Sequence, residues 1–166
     1  MTTTLRLLIA AGAALALAAC SEEPASPEAA AENINQTAEL DPSSVAYFQQ
    51  TVGDRVFFST DSSQINNLSR QTLIRQAAWL NEPSNAGVNA TIEGHADERG
   101  TREYNIALGA RRAAAVRSFL ITQGVAAGRL NTVSFGKERP EAPCSAETCW
   151  SQNRRGVTAL SGAPLS

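Results

Sequence analysis

The spacing of apolar and polar residues changes several times along the chain, and each change of period predicts a secondary-structure element. Short runs rich in apolar and β-branched residues predict four strands, at 55–58, 88–94, 130–135 and 156–160. Apolar residues recurring every three or four positions predict two helices, at 67–81 and 101–123. A short helix or turn is predicted at 150–155, and the segment 95–100 is predicted to be a loop. Strands that alternate with helices in this way favour an α/β fold, with helices packed on a sheet.

The apolar stripe of the first helix is predicted to contain Leu68, Leu73, Ala77 and Leu80. The stripe of the second helix, at about 100° per residue, is predicted to contain Asn105, Leu108, Arg112, Val116 and Phe119. Arg112 is therefore placed among residues that face the sheet. A guanidinium in such a position extends to water, forms a structural ion pair or binds a carboxylate. Asp97 lies just before this helix, so that both side chains can reach one pocket suited to a zwitterion.

Residues 1–19 have the features of a targeting segment. Arg6 precedes an apolar run from Leu7 to Ala19, which is short for a membrane span and suits a secretory signal. The run ends in Leu-Ala-Ala followed by Cys20, which is similar to the lipobox of bacterial lipoproteins. Cleavage before Cys20 would leave its thiol to carry acyl chains that anchor the protein to a membrane. The alternative interpretation is an ordinary signal peptide with an incidental cysteine.

The remainder of the chain is predicted to be a tether followed by one domain. Residues 20–43 comprise the candidate lipidated cysteine and a segment rich in Pro, Ser, Glu and Ala without apolar periodicity, which is typical of a flexible linker. Residues 44–166 form the predicted domain, with its core at about 54–161. The stretch 44–52 is ambiguous and is interpreted as an ordered lead-in.

Composition excludes several classes of function. The formal net charge of −2 and an aromatic content of 5% argue against nucleic-acid binding. The single histidine, His95, excludes a multi-histidine metal centre, and we predict neither a metal nor a cofactor. A catalytic role for His95 would require an orienting partner and a nucleophile, which the sequence does not indicate. We therefore expect a structural histidine and a protein that is not an enzyme.

Two of the three cysteines remain if Cys20 is acylated. Cys144 and Cys149 are five positions apart, and a disulfide is the natural expectation for such a pair in an exported protein. The bond would close a short loop. Two free thiols are the alternative.

One long motif carries a specific resemblance. The segment GHADERGTREYN at 94–105, which continues as IALGARRA to residue 113, resembles the signature of the OmpA-like C-terminal domain family. The later segments SFGKERP (134–140) and WSQNRR (150–155) are also similar to members of this family. The resemblance covers roughly 54–161. It implies an α/β sandwich with a mixed four-stranded sheet that binds peptidoglycan non-covalently and recognises meso-diaminopimelate in its stem peptide.

The resemblance also implies roles for particular residues. The family's key aspartate falls on Asp97, which would contact the diaminopimelate ammonium, and its key arginine on Arg112, which would contact the carboxylate. Asn105 matches the asparagine of the motif. The segment FSTDSS at 58–63 is similar to the family's FDFDSS loop: Asp61 matches, whereas Thr60 differs from the family's residue and would act through its backbone. Residues 152–154 either line the same pocket or hold the neighbouring loop.

Partners and location are likewise implied by the resemblance. It implies a lipoprotein of the outer membrane whose domain faces the periplasm and binds peptidoglycan. It further implies partnership with TolB, and with other Tol-system or outer-membrane proteins, and a role in envelope integrity and constriction at cell division. Two alternatives stay open: a wall-binding lipoprotein of the same family outside the Tol system, and an enzyme acting on peptidoglycan.

Overall fold

The computed structural model describes residues 40–165 of the protein. The predicted targeting segment, the candidate acylation site Cys20 and the tether up to residue 39 lie outside these residues. The helices are α1 (Val45–Tyr47), which continues as a π-helical turn at Phe48–Gly53, α2 (Asn67–Asn81), α3 (Arg102–Thr122) and α4 (Glu147–Asn153). The strands are β1 (Arg55–Phe57), β2 (Asn89–His95), β3 (Leu130–Gly136) and β4 (Arg155–Ser161). Short 3₁₀ turns lie at Pro83–Asn85 and Ala127–Arg129.

The four strands form one mixed sheet in the order β1-β4-β2-β3. Strand β2 pairs in parallel with β3, as expected when the long helix α3 connects them. Strand β4 pairs antiparallel with both β1 and β2 and so completes the centre of the sheet. Helices α2 and α3 contact the strands and each other. The predicted sandwich of helices on a mixed four-stranded sheet is thus confirmed.

The buried face of α2 differs from the predicted stripe at one end. Leu73 and Leu80 are fully buried, but Leu68 is 72% exposed. The polar Ser69 is buried instead, because its hydroxyl donates a hydrogen bond to the Phe57 carbonyl at the end of β1 (2.8 Å). The side chain of Asn66 caps the helix by accepting from the Ser69 amide (2.8 Å). These contacts turn Ser69 rather than Leu68 towards the sheet. The prediction that Leu68 belongs to the buried stripe was therefore wrong.

Helix α3 is close to its predicted bounds. Thr101 caps its first turn by accepting from the Tyr104 amide, and Gly124 follows its end with a positive φ of 94°. Four of the five residues in the predicted stripe are buried, whereas Phe119 is only partly buried. Leu120, one position further along, takes its place in the core. The inward orientation predicted for Arg112 is therefore correct.

Two segments differ from the prediction, and the structure also assigns the ambiguous lead-in at 44–52. His95 is the last residue of β2 rather than part of a loop, and the register of β2 with β3 shifts between Gly94 and His95. Helix α4 begins at Glu147 rather than at residue 150, and Arg155 belongs to β4. The ambiguous lead-in is helical, and its buried Phe48 packs against Trp79 of α2 with a ring-centroid distance of 4.9 Å.

Candidate ligand-binding site

An open cleft lies at the end of the sheet where the β1–α2 loop, the β2–α3 loop and the first turns of α3 meet. Its volume is about 310 Å³. It is lined by Thr60, Asp61, Asp97, Arg99, Gly100, Tyr104, Asn105 and Leu108. Four of the five residues predicted for ligand binding therefore share one cleft, although they come from segments separated by up to 45 positions. The fifth, Arg112, is completely buried and does not line the cleft surface.

Asp97 is the most strongly bonded carboxylate of the cleft. Its Oδ1 accepts from the Arg99 backbone N–H (3.2 Å) and Nε (3.0 Å), and its Oδ2 from Arg99 Nη2 (2.7 Å). A second guanidinium, that of Arg154, contributes Nη1 at 3.3 Å. Partial burial by itself would raise the pKa of Asp97, but these hydrogen bonds outweigh it and hold that pKa below the usual value. Asp97 is therefore ionised at neutral pH.

Arg112 is held by three backbone carbonyls. Its Nε donates to Ser62 (2.8 Å), its Nη1 to His95 (2.7 Å) and its Nη2 to Ser59 (3.1 Å). A guanidinium has five N–H donors, so one donor on each Nη is left. Burial lowers the pKa of Arg112 to about 10, partly offset by the nearby charge of Asp97, so the side chain is a cation at neutral pH.

Asp97 and Arg112 were predicted to reach one pocket, but only Asp97 lines the cleft. No hydrogen bond or ion pair joins the two side chains in the part of the chain that the structure describes. Arg112 joins the β1–α2 loop to the end of β2, whereas Arg154 takes the place beside Asp97. The helical phase located Arg112 correctly, but its acceptors come from segments whose proximity only the fold creates.

The remaining predicted residues form two walls of the cleft. Asn105 is almost completely buried, and its Nδ2 donates to the Arg99 carbonyl (2.8 Å), which holds the β2–α3 loop in shape. Asp61 is exposed on the other wall and has a left-handed backbone with φ of 53°. Its carboxylate accepts a hydrogen bond from the Tyr104 hydroxyl, which sequence reasoning did not single out. Thr60 lies beside it on the same wall.

The segment 147–154 borders this site, and of the two roles that the sequence left open for residues 152–154 the structure shows support of the neighbouring loops rather than lining of the cleft. Arg154 bonds to Asp97, and Asn153 holds the neighbouring loop by accepting from the backbone N–H groups of Glu141 (2.7 Å) and Ala142 (3.0 Å). Cys144 and Cys149 are joined by a disulfide, with their Cα atoms 5.6 Å apart. Glu147, between them, was not identified from the sequence, because nothing in its spacing links it to Asp97.

His95 lies behind the cleft rather than in it. Only 1% of its surface is exposed, and its ring packs against Phe135 at a centroid distance of 5.5 Å. Burial first, and then the charges of Arg155 and Arg139, lower its pKa to about 4, so the ring is neutral at pH 7. Its carbonyl group is the acceptor of the Arg112 Nη1 bond. The geometry thus gives His95 a positioning role.

Two negative observations apply to residues 40–165. No three His, Cys, Asp or Glu side chains in this range come together as a candidate metal site. None of the helices in the same range has the length and apolar character needed to cross a membrane.

Comparison with known proteins agrees with the fold. The model of the OmpA family matches residues 57–154. The peptidoglycan-associated lipoprotein of Mesorhizobium japonicum is 53% identical over 157 residues, covering 95% of this chain and 92% of the relative. That of Agrobacterium fabrum is 54% identical and covers 95% and 89%. The crystal structure of the peptidoglycan-associated lipoprotein from Burkholderia pseudomallei superposes with a TM-score of 0.66 at 36% identity, covering 73% of this chain and all of that one. The chain belongs to the OmpA family, and its relatives place it with the peptidoglycan-associated lipoproteins of that family.

Proposed function

We propose that this protein binds the stem peptide of peptidoglycan non-covalently in the cleft around Asp97, and thereby tethers the outer membrane to the cell wall. The observation that carries the proposal is an ionised carboxylate on the wall of an open cleft, with a buried guanidinium behind it. The relatives named peptidoglycan-associated lipoproteins support it independently. The ligand is the free end of a diaminopimelate side chain, which carries one ammonium and one carboxylate.

The two charges of this ligand match the charges of the site. Asp97 accepts from the ammonium, and Asp61 on the opposite wall adds a second negative charge. Arg112, buried behind the cleft, attracts the carboxylate through its positive charge. Asn105 keeps the β2–α3 loop in the shape that presents Asp97. A cleft of about 310 Å³ is at the small end of ligand sites, which suits one amino-acid terminus.

Tethering follows from combining this site with a lipid anchor. Acyl chains on Cys20 would hold one end of the protein in the outer membrane, and the segment 20–43 would let the domain reach the wall. Linking two anchors makes the second contact intramolecular, so that even a weak wall contact is effective. Mass spectrometry of the mature N-terminus tests this part, since an unmodified Cys20 would contradict it.

We further propose that the protein works with TolB in the Tol system and supports envelope constriction at cell division. The similarity to peptidoglycan-associated lipoproteins over nearly their full length supports this assignment. A partner that covers the cleft would compete with the wall. Titrating TolB into a wall-bound sample is expected to release the protein. Undiminished wall binding at saturating TolB would contradict competition, and an absence of any TolB binding would place the protein outside the Tol system.

The central experiment is co-sedimentation of the full-length chain, purified in detergent, with sacculi of two kinds. Diaminopimelate-type sacculi present the zwitterion, whereas lysine-type sacculi present the ammonium without the carboxylate. We expect the wild type to pellet with the first kind and much less with the second. Asp97→Asn is expected to stay in solution with both. Glu82→Gln, an exposed change away from the cleft, is the matched control and is expected to pellet like the wild type.

Three outcomes of this experiment contradict parts of the proposal. Failure of the wild type to pellet removes wall binding altogether. Equal binding of the Asp97→Asn variant shows that the wall contact lies elsewhere on the protein. Equal binding to both kinds of sacculi excludes recognition of the diaminopimelate carboxylate. Release of soluble muropeptides from the sacculi would instead favour the enzyme alternative.

A further inference from the structure

The carboxylate of Asp97 bonds directly to one side chain of the C-terminal part of the domain, that of Arg154. Among the described residues, its partners are the neighbouring Arg99, whose side chain is 41% exposed, and Arg154, whose side chain is 6% exposed. Arg99 belongs to the same short loop and is the more exposed of the two. The buried Arg154 bonds to the Asp97 carboxylate from outside that loop and is its tertiary partner.

Arg154 divides its donors among three acceptors. Its Nε donates to the Phe58 carbonyl at 3.1 Å, which fixes the guanidinium at the end of β1. Its Nη1 lies 3.3 Å from Asp97, and both Nη atoms bond to the carboxylate of Glu147. One positive charge is therefore shared between two carboxylates. Because Glu147 balances part of the positive charge of Arg154, that charge compensates Asp97 less completely. The carboxylate of Asp97 therefore attracts a cationic ligand more strongly.

Glu147 needs external support to perform this role. Its side chain is 61% exposed, and an exposed ion pair holds its partners only weakly. Its backbone, however, lies inside the loop that the Cys144–Cys149 bond closes. The same segment also grips the Asp97 loop directly: Trp150 Nε1 donates to Glu98 Oε1 at 2.5 Å, and the guanidinium of Arg99 lies 4.1 Å from the centre of the Trp150 ring. We call the segment 144–154 the brace.

We propose that the brace, through Glu147 and Arg154, sets the orientation of Asp97 and how far its negative charge is compensated, so that affinity for the ligand depends on the Cys144–Cys149 bond. This inference rests on the proposed function, because it concerns the same cleft. Glu147 and Arg154 are positioning residues in this scheme, since neither lines the cleft.

The test measures binding of the full-length chain to diaminopimelate-type sacculi for Glu147→Gln and for the double variant Cys144→Ser/Cys149→Ser. Each is expected to weaken binding about tenfold, the equivalent of about 1.4 kcal/mol. Asp97→Asn serves as the reference for loss of the site, and Glu82→Gln is the matched control with wild-type affinity. Thermal unfolding of each variant verifies that the domain is folded at the temperature of the assay.

The pH profile distinguishes this role from simple support of the loop. Without Glu147, the full charge of Arg154 acts on Asp97, so the pH at which binding fails on acidification is expected to fall. If Glu147 merely supported Arg154, its loss would loosen the Arg154–Asp97 contact and raise that pH. The other titratable and charged groups around the cleft are the same in both proteins: Asp61, Glu98, Arg99, Tyr104, Arg112 and Lys137.

The outcomes separate the two proposals. If Asp97→Asn binds like the wild type, the proposed site itself is wrong. If Asp97→Asn loses binding while Glu147→Gln or the double serine variant binds like the wild type, the proposed site stands and the brace is refuted. An acid midpoint of Glu147→Gln that is unchanged or higher also refutes the charge-sharing role.

Discussion

Gly94 of β2 and Gly109 of α3 meet where the helix crosses the strand, and each leaves room for the backbone of the other. The carbonyl group of Gly109 occupies the space that a Cβ on Gly94 would need, and a Cβ on Gly109 would lie 2.7 Å from the Gly94 carbonyl oxygen. Asp97 follows β2 by two residues, and Arg112 lies about one turn after Gly109 in α3. The contact between the two glycines therefore determines how closely the two functional segments approach each other.

Substituting Gly109 by Ala is expected to destabilise the domain. The added methyl group would push α3 away from β2, and overpacking of this kind costs about 1–3 kcal/mol in free energy of unfolding. Urea denaturation measures the change. Gly128→Ala is the control, because a Cβ there would meet nothing within 4 Å. Equal stability of the two variants would show that α3 and β2 can separate without cost.

Arg112 is expected to contribute to stability as well as to binding. Arg112→Lys keeps the charge but cannot reach three separate carbonyl groups, which would leave buried acceptors unpaired. We expect a loss of about 2–4 kcal/mol in free energy of unfolding by urea denaturation. The neighbouring Arg111→Lys is the control, since Arg111 is exposed. A stable Arg112→Lys variant with wild-type wall binding would contradict both roles.

Because Arg112 also stabilises the fold, a destabilised Arg112 variant that loses binding does not show where the ligand binds. Asp97→Asn is therefore the variant that tests the location of the site.

The buried His95 predicts a pH dependence of stability. Its pKa is about 4 in the folded protein and near 6.5 in an unfolded chain, so the unfolded state binds more protons between these values. The stabilisation is therefore complete above about pH 6.5 and is lost as the pH falls towards 4, with a total of up to about 3 kcal/mol. Urea denaturation at pH 7 and at pH 5 measures the slope.

His95→Gln provides the control for this prediction. The chain contains no other histidine, so the variant has no imidazole side chain that could titrate near pH 6. Its stability is expected to change much less than that of the wild type between pH 7 and pH 5. An identical slope in both proteins would mean that His95 is not the group responsible.

A buried polar pair connects α2 to β4 and predicts a further effect on stability. The hydroxyl of Thr158 donates to Gln76 Oε1 (2.8 Å), and Gln76 Nε2 donates to the Gly53 carbonyl (2.7 Å). Thr158→Val is expected to cost about 1–3 kcal/mol, because it leaves the amide oxygen of Gln76 buried without a partner. Thr132→Val, an exposed change on β3, is the control in the same denaturation experiment. Replacing both members of the pair by apolar residues, in Gln76→Leu/Thr158→Val, is expected to cost less than the sum of the two single changes.

The sequence by itself determined the order of the elements and the direction in which key side chains point. The apolar period defines α2 at 67–81, and the 3.6-residue repeat of α3 places Arg112 on its buried face. Local periodicity suffices for this, because a helix relates its residues through its own geometry. The same local information failed for Leu68, since a hydrogen bond to β1 determines how the first turn of α2 is rotated.

Only the tertiary structure decided which groups meet. Arg154 lies beside Asp97 across 57 positions, while Arg112 bonds to carbonyl groups up to 53 positions away. The pairing of a charged side chain depends on which loops the sheet order brings to one end, and that order is set by burial of the whole core rather than by any local pattern. Four residues of the cleft were therefore predicted from the sequence, whereas the rest of its lining and the distribution of charge around it required the fold.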